Sequence, residues 1–115
     1  FAVSSPDPLP VGRHELRFEF EPTGQPDLAK GHGVPARLQL YVDGALVASA
    51  DAPHTTPFAF NPGAVSCGHN PGSRVSPEYP SPFKFTGRLE KVVVDVSGDL
   101  IVDSEAELRM HMARQ

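Results

Sequence analysis

The chain has 115 residues, the length of one ordinary domain. Proline and glycine, at 13 and 10 residues, make up one residue in five, so turns are expected to be frequent. Leu, Ile, Val and Phe supply a quarter of the chain, above the roughly 20% below which chains stay disordered. A packed core is therefore expected.

Charge and hydropathy argue against two classes of partner. Ten Lys and Arg residues against fourteen Asp and Glu give a net charge of −4, and no basic stripe suited to a phosphate backbone is present. We expect no nucleic-acid partner. The longest apolar runs are far shorter than the ~20 residues of a membrane-spanning helix, so no membrane partner is expected either. A single cysteine, Cys67, rules out an internal disulfide and leaves the compartment open.

The first predicted strand follows a proline-rich lead-in, residues 1–12, which we interpret as a linker. Residues 14–20 alternate strictly, with Leu16, Phe18 and Phe20 on one face, which predicts a half-buried strand. Residues 21–36 hold six prolines and glycines. They form a long predicted loop of the kind that often carries function.

A hairpin is the strongest local prediction. Residues 37–42 and 45–50 both have extended patterns, and Asp43-Gly44 separates them. Asp-Gly suits a type I′ turn, because both central residues of that turn need a positive φ.

The second half of the chain predicts several short strands. The predicted strands are residues 58–61, 64–68, 83–85 and 89–96, and a second long loop covers residues 69–82. Ser104 and Glu107 have capping-box spacing, which predicts a short helix in residues 104–115. The predicted fold class is therefore all-β: an antiparallel, jelly-roll-like β-sandwich over residues 13–103, with one short C-terminal helix.

Candidate site residues lie in the two long loops. His32 belongs to a Lys-Gly-His-Gly turn that could hold an anion, although a plain turn is the simpler interpretation. Asn70, Arg74, Glu78 and Tyr79 form a mixture able to bind a sugar or to line an interdomain cleft, and His69, at the start of the same loop, is a further candidate contact. The five histidines are dispersed, so no metal site is predicted.

Cys67 is a further candidate, as a nucleophile. His69 lies two positions away, and in an extended segment the two side chains would share a face, which could activate the thiol. The simpler interpretation is a small apolar side chain.

The order of these segments resembles the C-terminal β-domain of bacterial arylsulfatases, a concanavalin-like or laminin-G-like jelly roll. The resemblance covers residues 9–115 and is carried by residues 9–14, 30–33, 40–44, 56–58, 82–87 and 104–109. It implies a noncatalytic accessory domain that packs on a catalytic sulfatase domain and shapes access to its substrate. The initial Phe1 agrees with an excised piece of a longer chain.

The same resemblance assigns the chemistry to the parent chain. A sulfatase uses a formylglycine, made from Cys or Ser in a C/S-x-P-x-R motif, beside a calcium ion. Gly68, His69 and Asn70 follow Cys67, so neither Pro nor Arg has the required offset. The resemblance therefore implies no catalytic residue, no metal and no cofactor in this fragment.

Three functional hypotheses remain open from the sequence. The first is the accessory domain, whose isolated fragment could form a homodimer through surfaces that the parent covers. The second is an independent carbohydrate-binding module of laminin-G-like architecture, centred on Tyr79 and Arg74. The third is a thiol hydrolase that uses Cys67.

Overall fold

The structure is a computed structural model that describes residues 1–57, 66–70, 74 and 76–98. Residues 1–57 belong to one compact unit, and the described residues between 66 and 98 belong to a second. In this part of the chain, regular structure consists of five antiparallel β-strands and one three-residue 3₁₀ helix. The described part of the chain is thus all-β, as predicted, while the pairing of two sheets into a sandwich stays a prediction.

The first unit contains a three-stranded antiparallel sheet. Its strands are β1 (Leu16–Pro22), β2 (Ala36–Val42) and β3 (Ala45–Ala52), and β2 lies in the centre. The strand predicted at residues 14–20 is present, shifted by two residues. Glu15 lies just before β1 and is bonded to Asp43. Its backbone carbonyl accepts from the Asp43 amide at 2.8 Å, and its own amide donates to the Asp43 carboxylate at 2.9 Å.

The predicted hairpin is confirmed. β2 and β3 flank Asp43 and Gly44, whose φ angles are 50° and 83°. Positive φ at both central positions is what a type I′ turn requires. The register runs from Val42 opposite Ala45 to Ala36 opposite Ala52.

The connection between β1 and β2 is folded onto itself. A 3₁₀ helix, Leu28–Lys30, is capped by the Asp27 side chain and followed by Gly31 in the left-handed region, at a φ of 70°. The backbones of Asp27 and His32 then exchange two hydrogen bonds of 2.9 Å. These local contacts order a segment that the sequence predicts only as a long loop.

One face of the sheet is apolar and largely uncovered. Leu16, Phe18 and Phe20 remain 59, 57 and 47% exposed. Among the described residues, the buried hydrophobic side chains are Ala36 and Ala52, at 1 and 4% exposure.

The second unit contains a two-stranded antiparallel sheet, β4 (His69–Asn70) and β5 (Phe83–Lys84). The strand predicted at residues 83–85 is present and one residue shorter. The loop predicted at residues 69–82 is wrong at its start, because His69 and Asn70 pair with β5. Gly68, at a φ of 87°, turns the chain just before them.

The strand predicted at residues 89–96 is wrong, because the described structure gives this segment no ladder partner. Near the end of this segment, a local hydrogen bond stands in place of strand pairing: the Ser97 amide donates to the Asp95 carboxylate at 2.8 Å. The hydrogen bond from the Ser97 side chain and that from its amide lower the pKa of Asp95. Val92, Val94 and Val96 are left 52, 71 and 88% exposed.

The remaining predicted elements fall wholly or partly outside the described residues. These are the strand at residues 58–61, most of the strand at 64–68, and the helix at 104–115. Residues 66–68 of the second strand are described and are not in a strand. Among the described residues, no helix has the length and apolar character needed to span a bilayer.

Candidate ligand groove

The predicted site residues separate into two places. His32 lies in the first unit, whereas His69, Asn70, Arg74 and Tyr79 lie in the second.

His32 is part of an aromatic stack. Its ring lies parallel to that of His54, at a centroid distance of 3.9 Å and an angle of 5°. The Phe1 ring packs edge to face against the His54 ring, at a centroid distance of 5.2 Å. Backbone bonding sets up the stack: the Gly33 amide donates to the Thr55 carbonyl at 2.7 Å, which continues the β2–β3 pairing.

Sequence reasoning missed His54 as the neighbour of His32. The register of the predicted hairpin would have placed His54 near His32. Once Ala36 pairs with Ala52, continuing the antiparallel register puts residue 34 opposite residue 54. His32 and His54 then lie at the same end of the sheet.

The second unit has an open groove of about 570 Å³. It is lined by both strands of the small sheet, by residues just before each strand and by residues that follow β5: Cys67, Gly68, His69, Asn70, Pro82, Phe83, Lys84, Phe85, Gly87 and Leu89. Two predicted residues, His69 and Asn70, thus belong to one concave surface.

The backbone fixes the order of side chains around the groove. His69 is paired with Lys84 and Asn70 with Phe83, and residues directly opposite in an antiparallel pair have adjacent side chains. The Phe85 amide donates to the Gly68 carbonyl at 2.7 Å, which extends this pairing by one step.

Two glycines make room for the apolar part of the groove. A Cβ at Gly68 would lie 2.8 Å from the Cδ1 atom of Leu89, and one at Gly87 would run into the Phe85 ring. Any side chain at either position would displace an apolar group of the groove. Phe85 and Leu89 remain 45 and 51% exposed.

Tyr79 supports the groove from beside it. The Asn70 amide nitrogen donates to the Tyr79 hydroxyl at 3.2 Å, and the rings of Tyr79 and Phe83 are 5.2 Å apart. Arg74 is exposed and is not a lining residue. The structure therefore brings together Asn70 and Tyr79, two candidates from one predicted loop, and it adds Phe83, Lys84 and Phe85, which sequence reasoning treated only as strand residues.

The charge of the groove differs from that of the chain as a whole. Among the described residues, its lining includes one fixed cation, Lys84, and no carboxylate, in a chain with a net charge of −4. Cys67 is a free, exposed thiol on the same lining. Its role as a nucleophile stays a hypothesis.

A second polar cluster joins the lead-in to the hairpin turn. His14 Nδ1 and Asp43 Oδ2 are 2.6 Å apart, and the His14 side chain is 16% exposed. The hydrogen bond to the Asp43 carboxylate raises the pKa of His14, and the same bond lowers the pKa of Asp43. Both residues lie in the first unit, and we call the pair the His14–Asp43 clasp because it holds the lead-in against the hairpin turn.

Among the described residues, no group of three or more His, Cys, Asp or Glu side chains is placed to share a metal ion. Asp27 and Asp43 are each engaged by a basic partner, Lys30 at 3.1 Å and His14 at 2.6 Å.

No family model, no curated protein and no solved structure matches this chain. The proposals below therefore depend on the residues and their geometry, together with the resemblance described above.

Proposed function

We propose that this chain is a noncatalytic accessory β-domain of a sulfatase-type sulfate-ester hydrolase, and that it packs on the catalytic domain of that enzyme. In this proposal the fold is an antiparallel, jelly-roll-like β-sandwich. The observation that carries it is the uncovered apolar face of the β1–β3 sheet. The order of sequence segments supplies the family.

The apolar face continues across two strands. Phe18 and Phe20 of β1 lie opposite Leu40 and Leu38 of β2, so their side chains share one surface. Contiguous exposed apolar surface of this kind commonly marks a protein interface, because burying it removes apolar area from water.

The opposite face of the sheet is polar and has partners of its own. The Arg17 guanidinium lies 4.0 Å from the centre of the Tyr41 ring, and Arg37 is 3.4 Å from the Asp51 carboxylate. These exposed contacts suit a surface that stays in water. The difference between the two faces gives the domain a docking side and a solvent side.

The proposal places catalysis outside this chain. Formylglycine and calcium would both belong to the catalytic domain, since the sequence after Cys67 has neither Pro nor Arg at the offset of the formylglycine motif. The role of this chain is to cover part of that domain and to shape the entrance for substrate.

The test uses the complete gene product. We expect it to hydrolyse an aryl sulfate, and we expect Phe18→Glu to lower both its thermal stability and its activity, because the new charge is buried at the interface. Gln25→Glu is the matched control: it adds the same charge at an exposed position away from the sheet and should change neither quantity. A complete gene product without sulfate-ester hydrolysis would contradict the proposal.

The chain expressed alone gives a second test. Without the catalytic domain, the apolar face should pair two copies, so sedimentation should show a dimer that Phe18→Glu converts to a monomer. Hydrolysis of an aryl sulfate by the chain alone, lost on substitution of one of its own residues, would overturn the noncatalytic role.

A carbohydrate-binding module is the second candidate. The observation that favours it is the Asn70–Tyr79 hydrogen bond beside Phe83, which is 43% exposed, since sugars bind to exposed rings flanked by amide and hydroxyl groups. This candidate predicts binding of a neutral oligosaccharide that Tyr79→Ala abolishes. An NMR titration without shifts would remove it.

A further inference from the structure

Two extended segments of the described structure have free backbone edges. One is the outer edge of β1, which pairs with β2 alone among the described strands, and the other is residues 89–96, which pair with no described strand. We propose that residues 89–96 of a second copy of this chain add to β1 as an antiparallel strand, and that two copies exchange these segments in a symmetric dimer. This pairing uses an edge of the sheet, so it goes beyond the accessory role, which rests on the apolar face.

The outer edge of β1 presents a row of unused backbone groups. Glu15, just before the strand, accepts from the Asp43 amide, which shows that the odd-numbered residues bond towards β2. The direction of the backbone groups alternates along a strand. The residues whose N–H and C=O groups point away from β2 are therefore Leu16, Phe18 and Phe20. An unpaired edge of this kind accepts a strand from another chain.

One antiparallel register matches the apolar residues of the two segments. Each valine of one alternating set then lies opposite an apolar residue of β1: Val92 opposite Phe20, Val94 opposite Phe18 and Val96 opposite Leu16. All six side chains are exposed in the single chain. Directly opposite side chains are in contact across a ladder, so this register removes apolar area of both segments from water.

The same register matches the charges on the opposite face of the sheet. It places Lys91 opposite Glu21 and Asp95 opposite Arg17, and cross-strand pairs of opposite charge stabilise a ladder. A shift of two residues in either direction places Asp95 opposite a glutamate instead, Glu15 or Glu19. A parallel arrangement of the same valines on the same three residues does so too. The charges therefore select one register and one direction.

The occupant is a second copy because both segments are unpaired within one described chain. Each copy has one free β1 edge and one free segment 89–96. If each copy gives its segment to the other, both edges are filled and the assembly closes as a dimer with twofold symmetry. The eight residues of the segment are long enough to cover the seven residues of β1.

The test is a disulfide between two single-cysteine variants of the full chain, in a Cys67→Ser background that removes the native thiol. The proposed register places Glu19 opposite Val93 in a pair without mutual hydrogen bonds, whose Cα atoms are about 4.5 Å apart, within reach of a disulfide. Mixing Glu19→Cys chains with Val93→Cys chains under mild oxidation should give a linked heterodimer. Lys91→Cys in place of Val93→Cys is the matched control, because it lies on the same face two residues out of register and should link at least about tenfold more slowly.

Exchanging charges tests the register independently. Lys91→Glu, added to the Val93→Cys chain, places a like charge opposite Glu21 and should raise the concentration for half-maximal linkage about fivefold. Glu21→Lys, added to the Glu19→Cys chain, should restore the original concentration, because the pair again has opposite signs. Lys84→Glu in the Val93→Cys chain is the control: it makes the same change of charge at an exposed lysine outside the segment and should leave linkage unchanged. Unchanged amide spectra elsewhere show that each variant is folded.

Three outcomes would overturn the inference: no linkage of the mixed chains, linkage by Lys91→Cys as fast as by Val93→Cys, or a Lys91→Glu effect that Glu21→Lys does not reverse. A disulfide that forms only when one chain carries both cysteines would replace the second copy with the chain itself as the occupant. Glu19 lies on the solvent side of the sheet, so docking through the apolar face does not link it. Failure here and failure of the accessory role, which the aryl sulfate assay tests, are therefore distinguishable.

Discussion

Strand β2 and residues 89–96 have the same sequence pattern and different structures. In β2, Leu38, Leu40 and Val42 alternate with polar residues, pair on both sides and are half-buried. In residues 89–96, Val92, Val94 and Val96 fall at alternate positions, with Lys91, Val93 and Asp95 on the other face, yet no described strand pairs with this segment and its side chains are exposed. Alternation alone therefore does not predict which segment joins a sheet.

The two segments differ in whether a tight turn brings a partner strand beside them. Asp43-Gly44 returns β3 to β2 through a two-residue turn, so the partner strand arrives with little loss of loop entropy. β1 is fastened at the same turn through Asp43. Among the described neighbours of residues 89–96, no such turn supplies a partner.

The largest effect is expected at the end of the sheet, where Gly33 is buried. A Cβ at this position would lie 2.8 and 2.9 Å from backbone atoms of Thr56, which cannot rotate away. Gly33→Ala should therefore lower the free energy of unfolding by about 2–3 kcal/mol, the usual range for overpacking. Urea unfolding followed by circular dichroism measures it.

Gln25→Ala is the control for Gly33→Ala, because Gln25 is exposed in the same connection and should change stability by less than about 0.5 kcal/mol. A Gly33→Ala variant as stable as this control would mean that the pairing of Gly33 with Thr55 does not hold the end of the sheet.

The next effect compares the two alternating segments directly. Leu40→Ser removes a half-buried side chain from the central strand and should cost about 2 kcal/mol. Val94→Ser changes a side chain that is 71% exposed and should cost less than about 0.5 kcal/mol. Both free energies come from urea unfolding of the chain alone. Equal losses would show that residues 89–96 are packed like β2.

A smaller effect is expected at the turn itself. Gly44 has a φ of 83°, which an L side chain adopts at a cost of about 1 kcal/mol, so Gly44→Ala should lose that amount. Gly44→Asn should lose less, because asparagine tolerates the left-handed region. Identical losses for both variants would contradict the turn geometry as the cause.

Sequence reasoning predicted best where local chemistry decides the structure. The Asp-Gly turn fixes its own φ angles, and the hairpin was predicted within two residues at each end. It failed for residues 89–96 and at the start of the loop after Gly68, because a strand exists only where another segment pairs with it. That pairing depends on distant residues, which periodicity does not reveal.

The candidate site shows the same limit. Asn70 and Tyr79 were predicted together because they lie in one loop, and they are hydrogen-bonded. Lys84 and Phe85 could not be added from sequence, since their place on the groove depends on the β4–β5 register. His32 is a separate candidate from sequence, because its Lys-Gly-His-Gly turn could hold an anion, and in the structure its ring stacks on that of His54.

The smallest effect is the pH dependence of the His14–Asp43 clasp. The pKa of His14 is raised above its ordinary 6.5, so the folded state holds this proton more tightly, and the resulting stability is present below pH 6.5 and lost as pH rises through the raised value. The pKa of Asp43 is lowered below 3.8, so its share is present above pH 3.8 and lost as pH falls through the lowered value. The clasp should stabilise most between these limits.

Asp43→Asn tests this window, because asparagine keeps the positive φ of the turn and removes the charge. The difference in urea midpoint between the original chain and this variant should be largest near pH 5 and should shrink as pH rises through the raised pKa of His14. Asp51→Asn is the control, since it removes a carboxylate that is paired with Arg37, which stays protonated throughout. A difference that stays constant from pH 5 to pH 8 would show that Asp43 fastens β1 through the Glu15 amide alone, without the imidazole.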